Sequence, residues 1–262
     1  DSCPSPADPD EQPWLLSLVP TQLVRLLADE RGLLWLQRFA LIWVGGAALP
    51  MAAADQARQA GIRLAPCYGA TETAAMVSAL PPQRFLAGEN GCGDALNDVE
   101  LRLLPDGALG VRTPRLAIGR WSPLRAPGFS SLCDDDGWWR SGDAADLSAG
   151  LWILGRLDGA VHSGGETVFP EQLEARLLQA AAQAHLPVQA LLLLGVEDPE
   201  WGERLVALVR SSDPSVLPAL QQLTLGWPAA DRPRRWLQCP ELEPSAAGKW
   251  QRQRWRDWLR AL

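Results

Sequence analysis

Leu151-Trp152-Ile153-Leu154-Gly155-Arg156-Leu157-Asp158-Gly159-Ala160-Val161-His162-Ser163-Gly164-Gly165-Glu166-Thr167-Val168-Phe169-Pro170-Glu171-Gln172-Leu173-Glu174 changes texture several times within one short span. The apolar run Leu151–Leu154 reads as a strand that turns at Gly155. Charged Arg156 and Asp158 follow, then a second short strand and the double-glycine turn Gly164-Gly165. Pro170 opens a helix, because its fixed φ suits a first helical turn and its missing N–H costs nothing there. Leu173, Leu177, Leu178 and Ala181 then recur at helical spacing on one face. Taken alone, the span is equally two strands and a helix joined by ordinary turns, or a joint between moving parts.

Downstream of Asp158 the pattern is helix, strand, strand, helix, strand, helix. The helices are placed at 170–184, 215–225 and 250–261, and the strands near 191–195, 205–209 and 236–238. This makes 158–262 a compact α+β domain of ordinary size. The last segment is locally basic, with tryptophans at helical spacing, and reads as a packed helix with a solvated basic face.

Upstream, residues 1–13 are acidic and proline-rich and read as a flexible segment. Pro20–Leu27 is an amphipathic helix. Ala40-Leu41-Ile42-Trp43-Val44 is a continuous apolar run ending at Gly45-Gly46, as for a strand buried on both faces. A helix from Leu49-Pro50 to about Ala60 and a strand at 62–66 follow, which is α/β architecture to about residue 95. From Val99 short alternating strands and turns indicate a small β subdomain reaching 157. The Asp134-Asp135-Asp136-Gly137 run reads as a solvated turn.

Composition narrows the function. Of 262 residues, 47% are apolar and 21% charged, enough for packed cores, and the net charge of −7 disfavours nucleic acid. Five scattered cysteines without a C-x-x-C pair point to reduced thiols in a cytoplasmic protein. Two histidines, His162 and His185, leave little material for a histidine metal site or a Ser-His-Asp triad. No signal peptide is legible, and the apolar runs are too short for a membrane span.

Four stretches, in order, carry a resemblance. They are Tyr68-Gly69-Ala70-Thr71-Glu72-Thr73, then Ser141-Gly142-Asp143, then Gly155-Arg156-Leu157-Asp158 with Gly164-Gly165-Glu166, and last Gly248-Lys249. Each is weak alone; ordered and in fitting contexts they resemble the adenylate-forming superfamily of acyl-CoA synthetases, peptide-synthetase adenylation domains and luciferases. The resemblance implies the C-terminal part of a large α/β domain with a small β subdomain (14–157), then a mobile α+β C-terminal domain (158–262).

It also implies substrates and roles. The family activates a small carboxylic acid with ATP and Mg²⁺ and passes the acyl group to a thiol such as coenzyme A. Tyr68, with Gly69, would stack on adenine, although a core tyrosine is the alternative. Thr71 would reach phosphate and Glu72 would bind Mg²⁺, a hard ion that takes oxygen ligands; capping a helix is the simpler use for the threonine. Asp143 would accept both ribose hydroxyls, unless it is only a turn residue. Arg156 would reach ribose or phosphate, or form a surface salt bridge. Asp158 matches the hinge about which the small domain turns. Gly164 and Gly165 would admit the pantetheine arm, or merely close a hairpin. Gly45-Gly46-Ala47 matches a loop along the adenine and acyl pocket, with a plain turn as the alternative. Lys249, the only lysine in the chain, would bridge the acid carboxylate and the α-phosphate.

The family's Ser/Thr/Gly-rich phosphate loop has no counterpart in these residues, and Val161-His162 stands where many relatives carry Ile-Lys or Ile-Arg. Ser163–Pro170, Ser17–Leu23 and the short C-terminal domain are most similar to the o-succinylbenzoate–CoA ligase branch, of menaquinone and phylloquinone biosynthesis. A ligase for another aromatic or fatty acid, and a non-catalytic nucleotide- or CoA-binding module, are the competing readings. A homodimer is the one self-association left open.

Overall fold

The computed structural model describes residues 13–122, 128–245 and 250–262. The expected flexible segment 1–13, but for Pro13, and the Gly248-Lys249 pair lie outside the described residues. The chain divides into two compact units, Asp1–Ile153 and Leu154–Leu262.

In the first unit, β1 (Leu15–Leu18), β2 (Leu41–Val44) and β3 (Leu64–Gly69) run parallel; β4 (Met76–Ala79) and β5 (Asp94–Ala95) extend the sheet antiparallel. The intervening helices are α1 (Pro20–Leu27), α2 (Glu30–Leu36), α3 (Met51–Gln59) and α4 (Pro82–Leu86). Local chemistry sets their starts. Pro20 is the first residue of α1, and the Gln22 side chain accepts the Val19 N–H at 3.0 Å. Asp29 caps α2 by accepting the Gly32 N–H at 3.1 Å. Leu23, Leu27, Leu36, Ile42, Val44, Ala57, Leu64 and Phe85 form this core. β2 is not buried on both faces throughout: Ile42 and Val44 are buried, while Leu41 and Trp43 are half-buried.

The β part of the unit holds β6 (Glu100–Leu103), β7 (Ala108–Arg112), the hairpin β8 (Gly119–Trp121) with β9 (Phe129–Ser131), β10 (Trp139–Asp146) and the start of β11 (Trp152–Arg156), the strand in which the chain passes to the second unit. Its four-stranded sheet has the order β11-β10-β7-β6. Val77, Leu109, Val111, Trp139, Ala145 and Leu151 pack together there. The acidic turn is local, as expected: the Asp134 carboxylate accepts the N–H groups of Asp136 and Trp138.

In the second unit, β12 (Val161–Ser163) and β13 (Glu166–Val168) form a hairpin before α5 (Pro170–Gln183). β14 (Ala190–Asp198) and β15 (Gly202–Arg210) follow, then α6 (Val216–Leu223), β16 (Arg235–Gln238) and α7 (Arg252–Arg260). The run Ala190–Leu194 is buried throughout because helices cover both faces of its strand. Leu191 and Leu193 meet Leu173, Leu177, Val216 and Leu220, whereas Ala190, Leu192 and Leu194 meet Leu242 and Trp255. Full burial of one such leucine stabilises by about 1.5–3 kcal/mol.

Three local expectations are corrected. The strand does not turn at Gly155 but continues to Arg156, since glycine adopts φ +150° inside it. Leu178 is 40% exposed, so the buried stripe of α5 is Leu173, Leu177 and Ala181. The basic residues of α7 are not all solvated, because Arg252 is inside and ion-paired.

Candidate functional site

β3 delivers the first motif. Tyr68 pairs with Ser78 of β4, and the register then shifts before Gly69 meets Met76. The backbone leaves the strand through the turn Thr71–Thr73, which Ala74 closes at φ +62°, a left-handed conformation that strains a residue with a side chain. Thr71 does not cap this turn. The capping hydroxyl belongs to Thr73, whose Oγ1 accepts the Ala70 N–H at 2.9 Å and donates to the Ala75 carbonyl at 2.7 Å.

Gly69 explains why the motif needs a glycine before the turn. A Cβ there would lie 2.4 Å from the Ala75 carbonyl oxygen and 2.6 Å from Met76 Cα, both backbone atoms. Gly69→Ala is expected to destabilise by about 1–3 kcal/mol through overpacking. A drop in the urea midpoint at unchanged slope would show it; an unchanged midpoint would mean the turn is softer than it looks.

Asp143 lies inside β10, not beyond its end, where the pairing with β7 shifts register between Arg140 and Ala144. Such a bulge re-aims a side chain. The Tyr68 hydroxyl donates to Asp143 Oδ2 at 2.5 Å, joining motifs 75 residues apart. The structure therefore brings together the residue expected beside adenine and the one expected beside ribose. Tyr68 is part-buried and packs against the β core, the alternative weighed for it in the sequence.

Glu72 is paired with a residue that no motif singles out. Arg120 Nη2, from β8, donates to its carboxylate at 2.6 Å, and the Glu72 carbonyl accepts the Ala117 N–H at 2.8 Å. No motif surrounds Arg120, so only the fold of the hairpin reveals it. Among the described residues no group of three or more His, Cys, Asp or Glu side chains is placed to hold a metal ion. A single accessible carboxylate fits Mg²⁺ held by one protein oxygen together with phosphate oxygens and water.

Gly45 and Gly46 follow β2, and the Gly45 N–H donates to the Leu18 carbonyl at 3.2 Å. A Cβ on Gly45 would lie 2.8 Å from Cys67 Sγ, and Gly46 sits at φ +83°. This loop therefore lies against the residue preceding Tyr68, with Ala47 beyond it. Burial raises the Cys67 thiol pKa and pushes that of nearby Cys92 up to about 12, with the Cys67 charge adding to the rise. At pH 8 about one Cys92 thiol in ten thousand would then be thiolate, against about one in four for an ordinary thiol. Peptide mass spectrometry after iodoacetamide at pH 8 should find Cys92 unmodified in the folded protein and modified in urea. Rapid labelling of the folded chain would contradict the burial.

In the second unit, Arg156 and Asp158 form an exposed ion pair, with Nη2 to Oδ2 at 3.1 Å and Nε to Oδ1 at 3.2 Å. The guanidinium lowers the Asp158 pKa. The surface salt bridge weighed for Arg156 is thus present. Gly164 and Gly165 close the β12–β13 hairpin at φ +60° and +86°, a two-residue turn that both glycines accept without strain. Gly164 also admits Trp201: a Cβ would lie 2.6 Å from the indole, and the Gly164 N–H donates to the Trp201 carbonyl at 2.9 Å. His162, in the position noted for its departure from the family, has Nδ1 3.3 Å from Thr167 Oγ1.

Residues 9–119 match the family described as AMP-binding enzyme. The 2-succinylbenzoate–CoA ligase of Salmonella typhimurium is 33% identical over 93% of this chain and 50% of its own length. The indoleacetate–CoA ligase of Aromatoleum aromaticum is 30% identical over 76% of this chain and 40% of its own. The structure of Escherichia coli MenE with a bound phenylether-linked analogue of OSB-AMS superposes with a TM-score of 0.69 at 32% identity, covering 97% of this chain and 54% of that one. The chain spans about half the length of the curated relatives it matches.

Proposed function

The chain carries a domain of the AMP-binding enzyme family, and on that premise we propose that the protein is an AMP-forming acid–CoA ligase acting on o-succinylbenzoate. In the first step a carboxylate oxygen of the acid attacks the α-phosphorus of ATP, the bond to the β-phosphate oxygen breaks, and pyrophosphate leaves. In the second, the sulfur of coenzyme A attacks the acyl carbon and AMP departs.

The observation that carries this reading is the Tyr68–Asp143 hydrogen bond, which brings a flat ring and a carboxylate side by side. The Tyr68 ring offers a face to adenine, with Gly69 keeping the backbone close. Asp143 keeps acceptor capacity for two ribose hydroxyls while accepting the tyrosine hydrogen bond, because a carboxylate has about four lone-pair sites. Thr71 donates to phosphate. Glu72, paired with Arg120 in this structure, is the residue that would hold Mg²⁺, and the ion would neutralise phosphate charge. Lys249 stabilises the charge that moves between carboxylate and α-phosphate. Gly45, Gly46 and Ala47 wall the acyl side, and Arg156 reaches the nucleotide once it leaves its ion pair. Asp158 acts as the hinge, and the Gly164-Gly165 backbone admits the pantetheine arm.

The identity to the Salmonella ligase over nearly the whole chain supports the named acid. The similarity to an indoleacetate ligase favours one alternative, another aromatic acid. Acid-dependent exchange of labelled pyrophosphate into ATP separates them. It would be run on the chain as it stands and on the chain joined upstream to a phosphate loop of the family. Exchange supported by o-succinylbenzoate and not by indoleacetate or fatty acids is expected. Exchange with another acid only would replace the substrate, and nucleotide binding without exchange for any acid would favour the non-catalytic reading.

A further inference from the structure

The turn Thr71–Thr73 is held partly from outside. The carbonyls of Ala70 and Thr71 accept the N–H groups of Thr73 and Ala74 within the turn, both at 3.1 Å. Those of Glu72, Thr73 and Met76 accept from a stretch later in the chain, 115–117. The Ala117 N–H donates to the Glu72 carbonyl at 2.8 Å. Arg115 Nη1 donates to the Thr73 carbonyl and Nη2 to the Met76 carbonyl, each at 3.2 Å. These last two carbonyls flank Ala74, the residue at φ +62°. A left-handed alanine persists only where its surroundings over-determine it. A planar guanidinium suits that task, because its fixed fork of donors reaches two backbone oxygens at once.

The fork is itself anchored. Arg115 Nε donates to Asp98 Oδ2 at 2.6 Å and Nη2 to Asp98 Oδ1 at 3.3 Å. The Thr113 hydroxyl also donates to Asp98 Oδ2 at 3.3 Å. The Arg115 hydrogen bond above all holds the Asp98 carboxyl below the usual carboxylate range, so the anchor is charged at neutral pH. The antiparallel pairing of β6 with β7 sets Glu100 opposite Arg112 and so brings Asp98 and Arg115 to one end of that pair.

Within the turn, Thr71 is exposed and Thr73 buried, so the conformation of the turn decides where the Thr71 hydroxyl and the Glu72 carboxylate point. The Tyr68–Asp143 contact is made without Arg115. We propose that Arg115, oriented by Asp98, is a positioning residue for Thr71 and Glu72, fixing the turn that presents them. The proposal rests on the ligase reading for the roles of those two residues.

Arg115→Lys keeps the charge and loses the fork. In the chain as it stands, hydrogen exchange at the Thr73 and Ala74 amides should quicken by about tenfold, the scale of one lost charged hydrogen bond, with β7 and β10 still protected. Tyr68 is the only tyrosine, so a ¹³C label at its Cζ gives one NMR signal, which should keep its shift. In the chain joined to a phosphate loop, kcat of acid-dependent pyrophosphate exchange should fall by about 10²-fold, the scale of a small misplacement. KM for ATP should stay within about threefold, because Tyr68 and Asp143 keep their places. Asp98→Asn removes the orienting charge and should lower kcat by about tenfold; it carries the same readouts if Arg115→Lys does not fold. Arg112→Lys is the control, since it breaks a similar fork that grips only Glu100 among carboxylates, and kcat should stay within about twofold. Unchanged hydrogen exchange at Thr73 and Ala74, or an undiminished kcat, would overturn the proposal. A shifted Tyr68 signal with an equal loss in Arg112→Lys would also overturn it, by making the effect one of general packing. An unsubstituted joined chain that exchanges with no acid refutes the ligase reading, and the positioning role falls with it even where the turn loosens.

Discussion

Lys249→Ala, in the chain joined to a phosphate loop, is expected to lower acyl-adenylate formation by about 10²–10³-fold, the scale of removing one preorganised donor from a developing charge. The loss should fall on the rate and not on binding, because the role proposed for the ammonium is exerted while the carboxylate and α-phosphate share charge. Transfer of a supplied acyl-adenylate to coenzyme A should be little changed, since that charge has then moved. The sequence gives a second check. In the chain as it stands Lys249 is the only lysine, so its protection from an amine reagent is read at a single lysine peptide. ATP with the acid should protect that side chain. An alanine variant that adenylates at the unsubstituted rate would remove Lys249 from the chemistry.

Asp143→Ala carries the next largest expected effect. It removes the acceptor proposed for the ribose hydroxyls and leaves the Tyr68 hydroxyl, now 2.5 Å from Asp143 Oδ2, without that partner. Hydrogen bonds to a charged group are worth about 1.5–3 kcal/mol each, so kcat/KM for ATP should fall by about 10²-fold or more. The informative comparison uses 2′,3′-dideoxy-ATP. The unsubstituted protein should strongly prefer ATP, and Asp143→Ala should treat the two nucleotides nearly alike. A variant that loses activity yet keeps the full preference would show that Asp143 acts on the strand and not on ribose. Tyr68→Phe separates the two uses of the tyrosine, since it keeps the ring for adenine and deletes only the contact to Asp143.

How much of this was legible depended on whether the signal was local. The helix at Pro20–Leu27 could be read because proline, its apolar face and its length all lie within one segment. The Pro170 helix was equally plain, although Leu178 turned out to be outside its buried stripe. The Gly164-Gly165 turn was readable because two adjacent glycines between short strands suit a hairpin. By contrast, the bulge at Asp143 depends on how β10 pairs with β7, a non-local register that nothing near Ser141-Gly142-Asp143 encodes. Arg120 belongs in the same class, because the hairpin that brings it to Glu72 has no motif of its own. Arg252 was misread for a physical reason. Basic residues on a tryptophan-rich terminal helix are usually solvated, and its carboxylate partners lie about eighty residues upstream on α5. Glu174 offered the one available hint, a charged residue directly after Leu173 on a helix with a buried face.

The most direct test of the central claim is mass-spectrometric detection of o-succinylbenzoyl-CoA from o-succinylbenzoate, ATP, Mg²⁺ and coenzyme A. It would be run on the chain joined upstream to a phosphate loop of the family, with Lys249→Ala beside it. The account predicts the thioester together with AMP in equal amounts, formed about 10²–10³-fold more slowly with the variant. No thioester from this acid, in a folded protein that still binds nucleotide, would contradict it.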